Sequence, residues 1–383
     1  VTCNAAGLRI MQLEAQDVLD RSVADFFSKG NAWMHEKIIR VEETRNPDLT
    51  MDAELCFGTN KVAANVTIMP LTSVEKRKLG VMIIIDDISA EKRVKSTMSR
   101  YMDPGLADQL LDRGEDILVG KSTRATILFS DIRQFTTLTE ELGAQGTVSL
   151  LNEYFTIMVE CIQREGGMLD KFIGDAIMAA FGIPISHGDD EDRAVRAAIA
   201  MIDALENWNR ERLSQGKQPV KMGLGLNTDV IVSGNIGSPK RMDYTLIGDG
   251  VNLASRLESL CKRYHAQILI SENTYKRLRG TYRIRQVDSV VVKGKTEPVA
   301  VYEVLDYHTP ETFPNLMDAV SQFQDGLRKY RQRHWDRAIM SFRKTLELNP
   351  TDDICRMYIE RCELLKVNPP VDAWDGVWIM DSK

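Results

Sequence analysis

The chain has 383 residues, room for two or three domains with cores of their own, and its net charge of −6 with 27% charged residues shows no basic stripe. That balance argues against a general nucleic-acid binder. No apolar run approaches the roughly 18 residues of a membrane span and no signal peptide opens the chain. The six cysteines, at 3, 56, 161, 261, 355 and 362, show neither CxxC nor zinc-finger spacing, so reduced thiols of a cytoplasmic protein are expected. The sequence starts at Val1 without Met and reads as a fragment.

Residues 1–90 read as a small α/β unit, with a helix-like start and strand-like runs over 51–57, 63–69 and 79–85, closed by Asp86-Asp87-Ile88-Ser89. Residues 91–123 read as a charged, helical connector broken at Pro104-Gly105, with Val94, Met98, Tyr101, Leu106 and Leu110 too few to establish a coiled coil. From 124 to 306 strand and helix signals alternate: strand 125–131, helix 147–164, a hairpin over 168–182, helix 190–213 and strand 220–226. In the first of these helices Val148, Leu151, Phe155, Met158 and Ile162 recur at three and four, predicting one buried face. The β-α-β-β-α-β order predicts an α+β fold with a ferredoxin-like sheet and its helices on one face, an architecture shared by many activities. Residues 307–383 carry Phe323, Gly326, Tyr330, Ala338, Phe342 and Pro350 at the spacing of a tetratricopeptide repeat, one helix pair followed by a tail. A solenoid needs about three repeats to bury its own core, so packing on a neighbouring domain or a dimer mate is expected ahead of partner binding.

The chemistry gathers in 124–306. Asp131 ends the apolar run Ile127-Leu128-Phe129-Ser130, and Gly174-Asp175 forms a tight turn between Phe172-Ile173 and Ile177-Met178. On neighbouring strands the two carboxylates would emerge at one sheet edge, where hard oxygen ligands hold Mg²⁺ against phosphates. A helix cap at Asp131 and a plain turn at Asp175 remain the alternatives. Asn252 and Arg256 stand four apart on one helix face and can converge on one anionic group. The alternative for them is a surface Arg and a helix-start Asn. Val292-Lys293-Gly294-Lys295 adds a basic hairpin tip, and Phe135-Thr136 would offer backbone N–H groups to phosphates.

Together Phe129 to Thr136, Lys171 to Asp175, Asn252 to Arg256 and Val292 to Lys295 resemble the catalytic domain of the class III adenylyl and guanylyl cyclases. The resemblance implies that Asp131, Asp175 and the carbonyl of Ile132 bind two Mg²⁺ per site, with Mn²⁺ as the alternative ion. Lys171 and Thr245 match the family's base-reading pair, Asn252 and Arg256 its transition-state pair, and Lys293 its phosphate lysine. Lys is donor-only and suits adenine N1, while Thr can accept from the exocyclic amine, so ATP is the expected substrate and 3′,5′-cyclic AMP with pyrophosphate the expected products. Guanylyl members would carry Glu and Cys at these two positions. Where many members read His-Thr-Gly, this chain has Asn227-Thr228-Asp229 followed by Val230, and no phosphate role is assigned there.

Base reading and metal binding in one such site come from different subunits, so a head-to-tail homodimer with two shared sites is implied. Residues 1–90 resemble, by pattern, a PAS sensor domain that would regulate the cyclase, and an unidentified signal or partner is expected at that region or at the repeat. A diguanylate cyclase would need a Gly-Gly-Asp/Glu-Glu-Phe turn, and this one reads Ile173-Gly174-Asp175-Ala176. The alternative functions are a catalytically silent nucleotide-binding regulator, which would normally have lost one of the four key side chains, and a PAS/repeat signalling scaffold.

Overall fold

A computed structural model describes residues 2–73, 77–90, 92, 120–238, 241–291, 298–370, 374, 376 and 378–379. The connector from 93 to 119 and the tip holding Lys293 lie outside them. The chain forms two compact units, residues 1–107 and 108–383.

In the first unit four helices, α1 (Ala5–Met11), α2 (Ala15–Val18), α3 (Val23–Phe26) and α4 (Ala32–Thr44), precede three antiparallel strands. These are β1 (Asp48–Phe57), β2 (Asn60–Thr72) and β3 (Lys78–Asp87), in that spatial order. Val62, Ala64, Val66 and Ile68 alternate inward along β2 onto Met34, Ile38 and Val41 of α4, joining the period of two on a strand to the period of a helix in one core.

The second unit opens with β4 (Lys121–Ile132), α5 (Phe135–Arg164), β5 (Met168–Ile173), β6 (Ala176–Phe181), α6 (Asp190–Ser214) and β7 (Met222–Ser238). Their strands lie in the order β7-β4-β6-β5, all antiparallel, as the β-α-β-β-α-β pattern requires. β8 (Arg241–Ile247) pairs with the far half of β7, and α7 (Asp249–Tyr264) follows it. The sheet continues through β9 (Ile268–Ser271), then past the short α8 (Glu272–Tyr275) to β10 (Ile284–Val291), β11 (Val299–Val304) and a terminal β12 (Trp378–Ile379). Helix α5 begins twelve residues before the expected 147 and kinks at Gly143, where φ is 67°.

β4 sits in the middle of this sheet and is covered on both faces, which explains its unbroken apolar run. Leu128 packs with α5 and α6, whereas Ile127 and Phe129 face a second core with Val251 and Ala254 of α7. The two helices of the β-α-β-β-α-β unit, α5 and α6, share one face as expected, and α7, which follows that unit, covers the other. Gly225 of β7 lets α7 settle on the strand. A Cβ there would stand 2.1 Å from the Glu258 nitrogen and 2.4 Å from the Ala254 oxygen, both backbone atoms that cannot swing aside. Gly225→Ala is expected to cost about 1–3 kcal/mol in chemical denaturation by displacing α7. Native stability would show that the helix yields freely.

Among the described residues three helices, rather than the expected pair, follow β11: α9 (Leu316–Arg331), α10 (Trp335–Leu348) and α11 (Asp353–Val367). Phe323, Gly326, Tyr330, Ala338 and Phe342 are all buried, and Pro350 is exposed. Phe323, Leu327, Phe342 and Tyr358 share one core with Leu253, Leu257 and Tyr264 of α7 and with Val287 and Val301 of the sheet. Buried polar groups join the same layers. Arg285 of β10 meets Glu303 of β11 at 2.7 Å and Asp352 at 2.5 Å, and Arg361 of α11 meets Asp288 of β10 at 2.7 Å.

Candidate active site

Pairing of Ser130 with Ile177 sets the β5–β6 turn beside the end of β4. Gly174 makes that turn with φ 65°, a conformation open to glycine at no steric cost. Asp175 thereby comes against Asp131. Burial and this neighbouring carboxyl push Asp175 up to about 6, opposed by backbone N–H groups of Asp175 and Ile132. A carboxyl held in a buried place against a second one is what a divalent cation relieves. Among the described residues no cluster of three or more His, Cys, Asp or Glu side chains could hold a metal. A cation here would therefore complete its shell from backbone, water or substrate oxygens. This hard, oxygen-only donor set fits Mg²⁺ or Mn²⁺ and leaves room for the Ile132 carbonyl.

Behind the carboxylates, Arg133 Nη1 lies 3.0 Å from Glu258 Oε1, an ion pair whose angles fall outside hydrogen-bond geometry, while Arg133 Nη2 donates to the Glu258 carbonyl at 3.2 Å. Burial pushes Glu258 up to about 7 against the pull of Arg133. This contact joins the end of β4 to α7. The start of α7 is held separately: Asn227 Nδ2 donates to the Gly250 carbonyl at 2.9 Å, and Ser271 Oγ donates to Asn227 Oδ1 at 2.6 Å. Asn227 thus has a buried structural task. Val230 beside it is exposed.

On α7, Asn252 is exposed and Arg256 half-buried, four residues apart. Neither side chain has a hydrogen-bond or ion-pair partner among the described residues. Phe135 and Thr136 are the first residues of α5, where backbone N–H groups lack helical acceptors. Lys293 is outside the described residues.

The clearest pairing joins β5 to β8. Lys171 Nζ donates to Thr245 Oγ1 at 2.8 Å, and the Thr245 hydroxyl in turn donates to Asp170 Oδ2 at 3.3 Å. Asp170 Oδ2 is also 3.6 Å from Lys171 Nζ. Adjacent strand residues normally point to opposite faces. Here the register slips between Leu169 and Lys171, so a bulge brings Asp170 and Lys171 to the same hydroxyl. Lys171 and Thr245 were legible as motif positions, while Asp170, Glu258 and Asn227 acquire their roles only through contacts distant in sequence.

Residues 118–306 match the family model of the adenylate and guanylate cyclase catalytic domain. The chain is 38% identical over 242 residues to the terminal-differentiation-specific adenylate cyclase of Dictyostelium discoideum, covering 62% of this chain and 11% of that protein. It is 36% identical over 276 residues to the adenylate cyclase of Anabaena cylindrica, covering 70% of this chain and 52% of that one. A bacterial light-regulated adenylyl cyclase of known structure superimposes with a TM-score of 0.50 at 27% identity, over 58% of this chain and 63% of that one. The chain thus spans about half the length, or less, of these two curated relatives. Its second unit carries a class III adenylyl/guanylyl cyclase catalytic domain.

Proposed function

We propose that the chain is an adenylate cyclase that converts ATP to 3′,5′-cyclic AMP and pyrophosphate. The observation that carries the choice of base is the 2.8 Å Lys171–Thr245 pair, a donor-only cation beside a hydroxyl able to accept, set within a cyclase domain. Lys171 would donate to adenine N1 and Thr245 would accept from the exocyclic amine. Two Mg²⁺ or Mn²⁺ ions held by Asp131, Asp175 and the Ile132 carbonyl would lower the pKa of the ribose 3′-hydroxyl and neutralise the oxygens of the leaving pyrophosphate. Asn252 orients the ribose as its 3′-oxygen bonds to the α-phosphorus and the bond to pyrophosphate breaks, and Arg256 stabilises the charge that develops. Phe135 and Thr136 offer backbone N–H groups to the phosphates, and Lys293 adds a cation. No protein nucleophile is required.

A homodimer with two shared sites is part of this reading. Its support is the surface around the motifs: Phe172, Ile173, Val232, Ile236, Met242 and Ile247 are each about 40–55% exposed, an apolar set that a second copy would cover. The unpartnered Asn252 and Arg256 would then face a partner's carboxylates. Regulation through a PAS-like first unit and a tetratricopeptide-like role for α9 and α10 rest on sequence pattern. ATP as substrate and six free thiols suit a cytoplasmic setting. Among the described residues no helix is long and apolar enough to cross a membrane.

Incubating the purified chain with ATP or GTP and Mg²⁺ or Mn²⁺ tests the proposal, the expected product being cyclic AMP, formed from ATP well ahead of cyclic GMP from GTP. Turnover of neither nucleotide would favour the silent regulator, and a preference for GTP would remove the adenine assignment.

A further inference from the structure

We propose that Asp170 is a positioning residue for base selection, fixing the Thr245 hydroxyl so that its free lone pair accepts from a 6-amino purine. The inference rests on Lys171 and Thr245 being the base-reading pair and goes beyond it by naming what makes Thr245 selective. A threonine hydroxyl has one proton and two lone pairs, so alone it could serve an amine or a carbonyl equally well. Lys171 has only donors, and its 2.8 Å bond consumes one lone pair. The hydroxyl proton must then find an acceptor, and the acceptor it has among the described residues is Asp170 Oδ2. One lone pair remains. It can receive the N–H of an adenine amine, whereas a guanine carbonyl in the same place would meet lone pair against lone pair.

The carboxylate is built for this task and little else. Its side chain is 1% exposed, Oδ1 has no hydrogen-bond partner among the described residues, and the bulge in β5 turns it toward Thr245 rather than away. Burial pushes its carboxyl upward, opposed chiefly by Lys171, and a buried carboxylate with an orphaned oxygen is costly to keep for stability alone.

The test measures kcat/KM for ATP and for GTP in the full chain carrying Asp170→Ala or Asp170→Leu, which fill the site differently but both remove the acceptor. The ratio of GTP to ATP use should rise about tenfold in each, because the freed hydroxyl can rotate and donate to the guanine carbonyl. A purely structural role would lower both substrates together. In a Thr245→Val background the same Asp170 changes should leave the ratio where Thr245→Val put it, since no hydroxyl remains to orient. An unchanged ratio in both folded Asp170 variants, with Thr245→Val shifting it, overturns the proposal and leaves the base-reading pair standing. If Thr245→Val also leaves the ratio unchanged, the pair itself is wrong. Should Asp170→Ala fail to fold, Asp170→Leu decides, its apolar side chain being suited to a buried position.

Discussion

Mixing an Asp131→Ala chain with an Asn252→Ala chain is expected to restore about a quarter of the wild-type cyclase rate, half the dimers having one good site each by two-fold symmetry. Each variant alone should lose at least about a hundredfold in turnover, the scale on which a metal ligand or a charge-stabilising donor acts. Asp131 is the last residue but one of β4 and lies beside Asp175, and Asn252 is exposed on α7. If each site takes its carboxylates from one protomer and its Asn and Arg from the other, a mixed dimer collects both lesions in one site and spares the second. Recovery should rise with protein concentration where dimerisation is reversible. A mixture that stays inactive although tagged pull-down proves exchange would place all the catalytic groups within one chain.

Arg285→Ala is the substitution expected to weaken the fold most. It would leave Glu303 and Asp352, both almost wholly buried, as uncompensated carboxyls at a cost of about 3–5 kcal/mol. Denaturant unfolding followed by tryptophan fluorescence reads the loss where it matters, since Trp335 and Trp374 pack on Tyr330 of α9. Replacing all three members together, Arg285→Met with Glu303→Leu and Asp352→Leu, should recover most of the stability, because no charge is then left unpaired. A single substitution costing under about 1 kcal/mol would mean that water reaches the network and screens it.

How much of this could be read from sequence depended on whether the cause was local. The β-α-β-β-α-β order, the Gly174-Asp175 turn and the Asn252–Arg256 spacing come from neighbours within a few residues, so the pattern sufficed. The placement of α7 on the opposite face from α5 and α6 did not show. It follows from glycine at 225 admitting a helix some thirty residues later, and an isolated glycine in a strand announces no partner. Asp170 was hidden for a related reason. Strict alternation would send it away from Thr245, 75 residues on, and only the bulge reverses that. The repeat-like spacing pointed to a helix pair but missed α11, whose Arg361 and Tyr358 reach back to Asp288 and to the Val287 carbonyl.

That reach alters where the catalytic unit ends as a folding object. The match to the cyclase catalytic-domain family model stops at 306, yet the hydrophobic layer beneath α7 is finished by side chains as far along as Leu365. A polypeptide cut at 306 would present Leu257, Val287 and Val301 to water and strand Arg285 without Asp352. Family boundary and autonomy have parted here: the stretch that defines the catalytic domain is shorter than the smallest piece that can close its own interior, and the three helices beyond it belong to that body as much as its strands do.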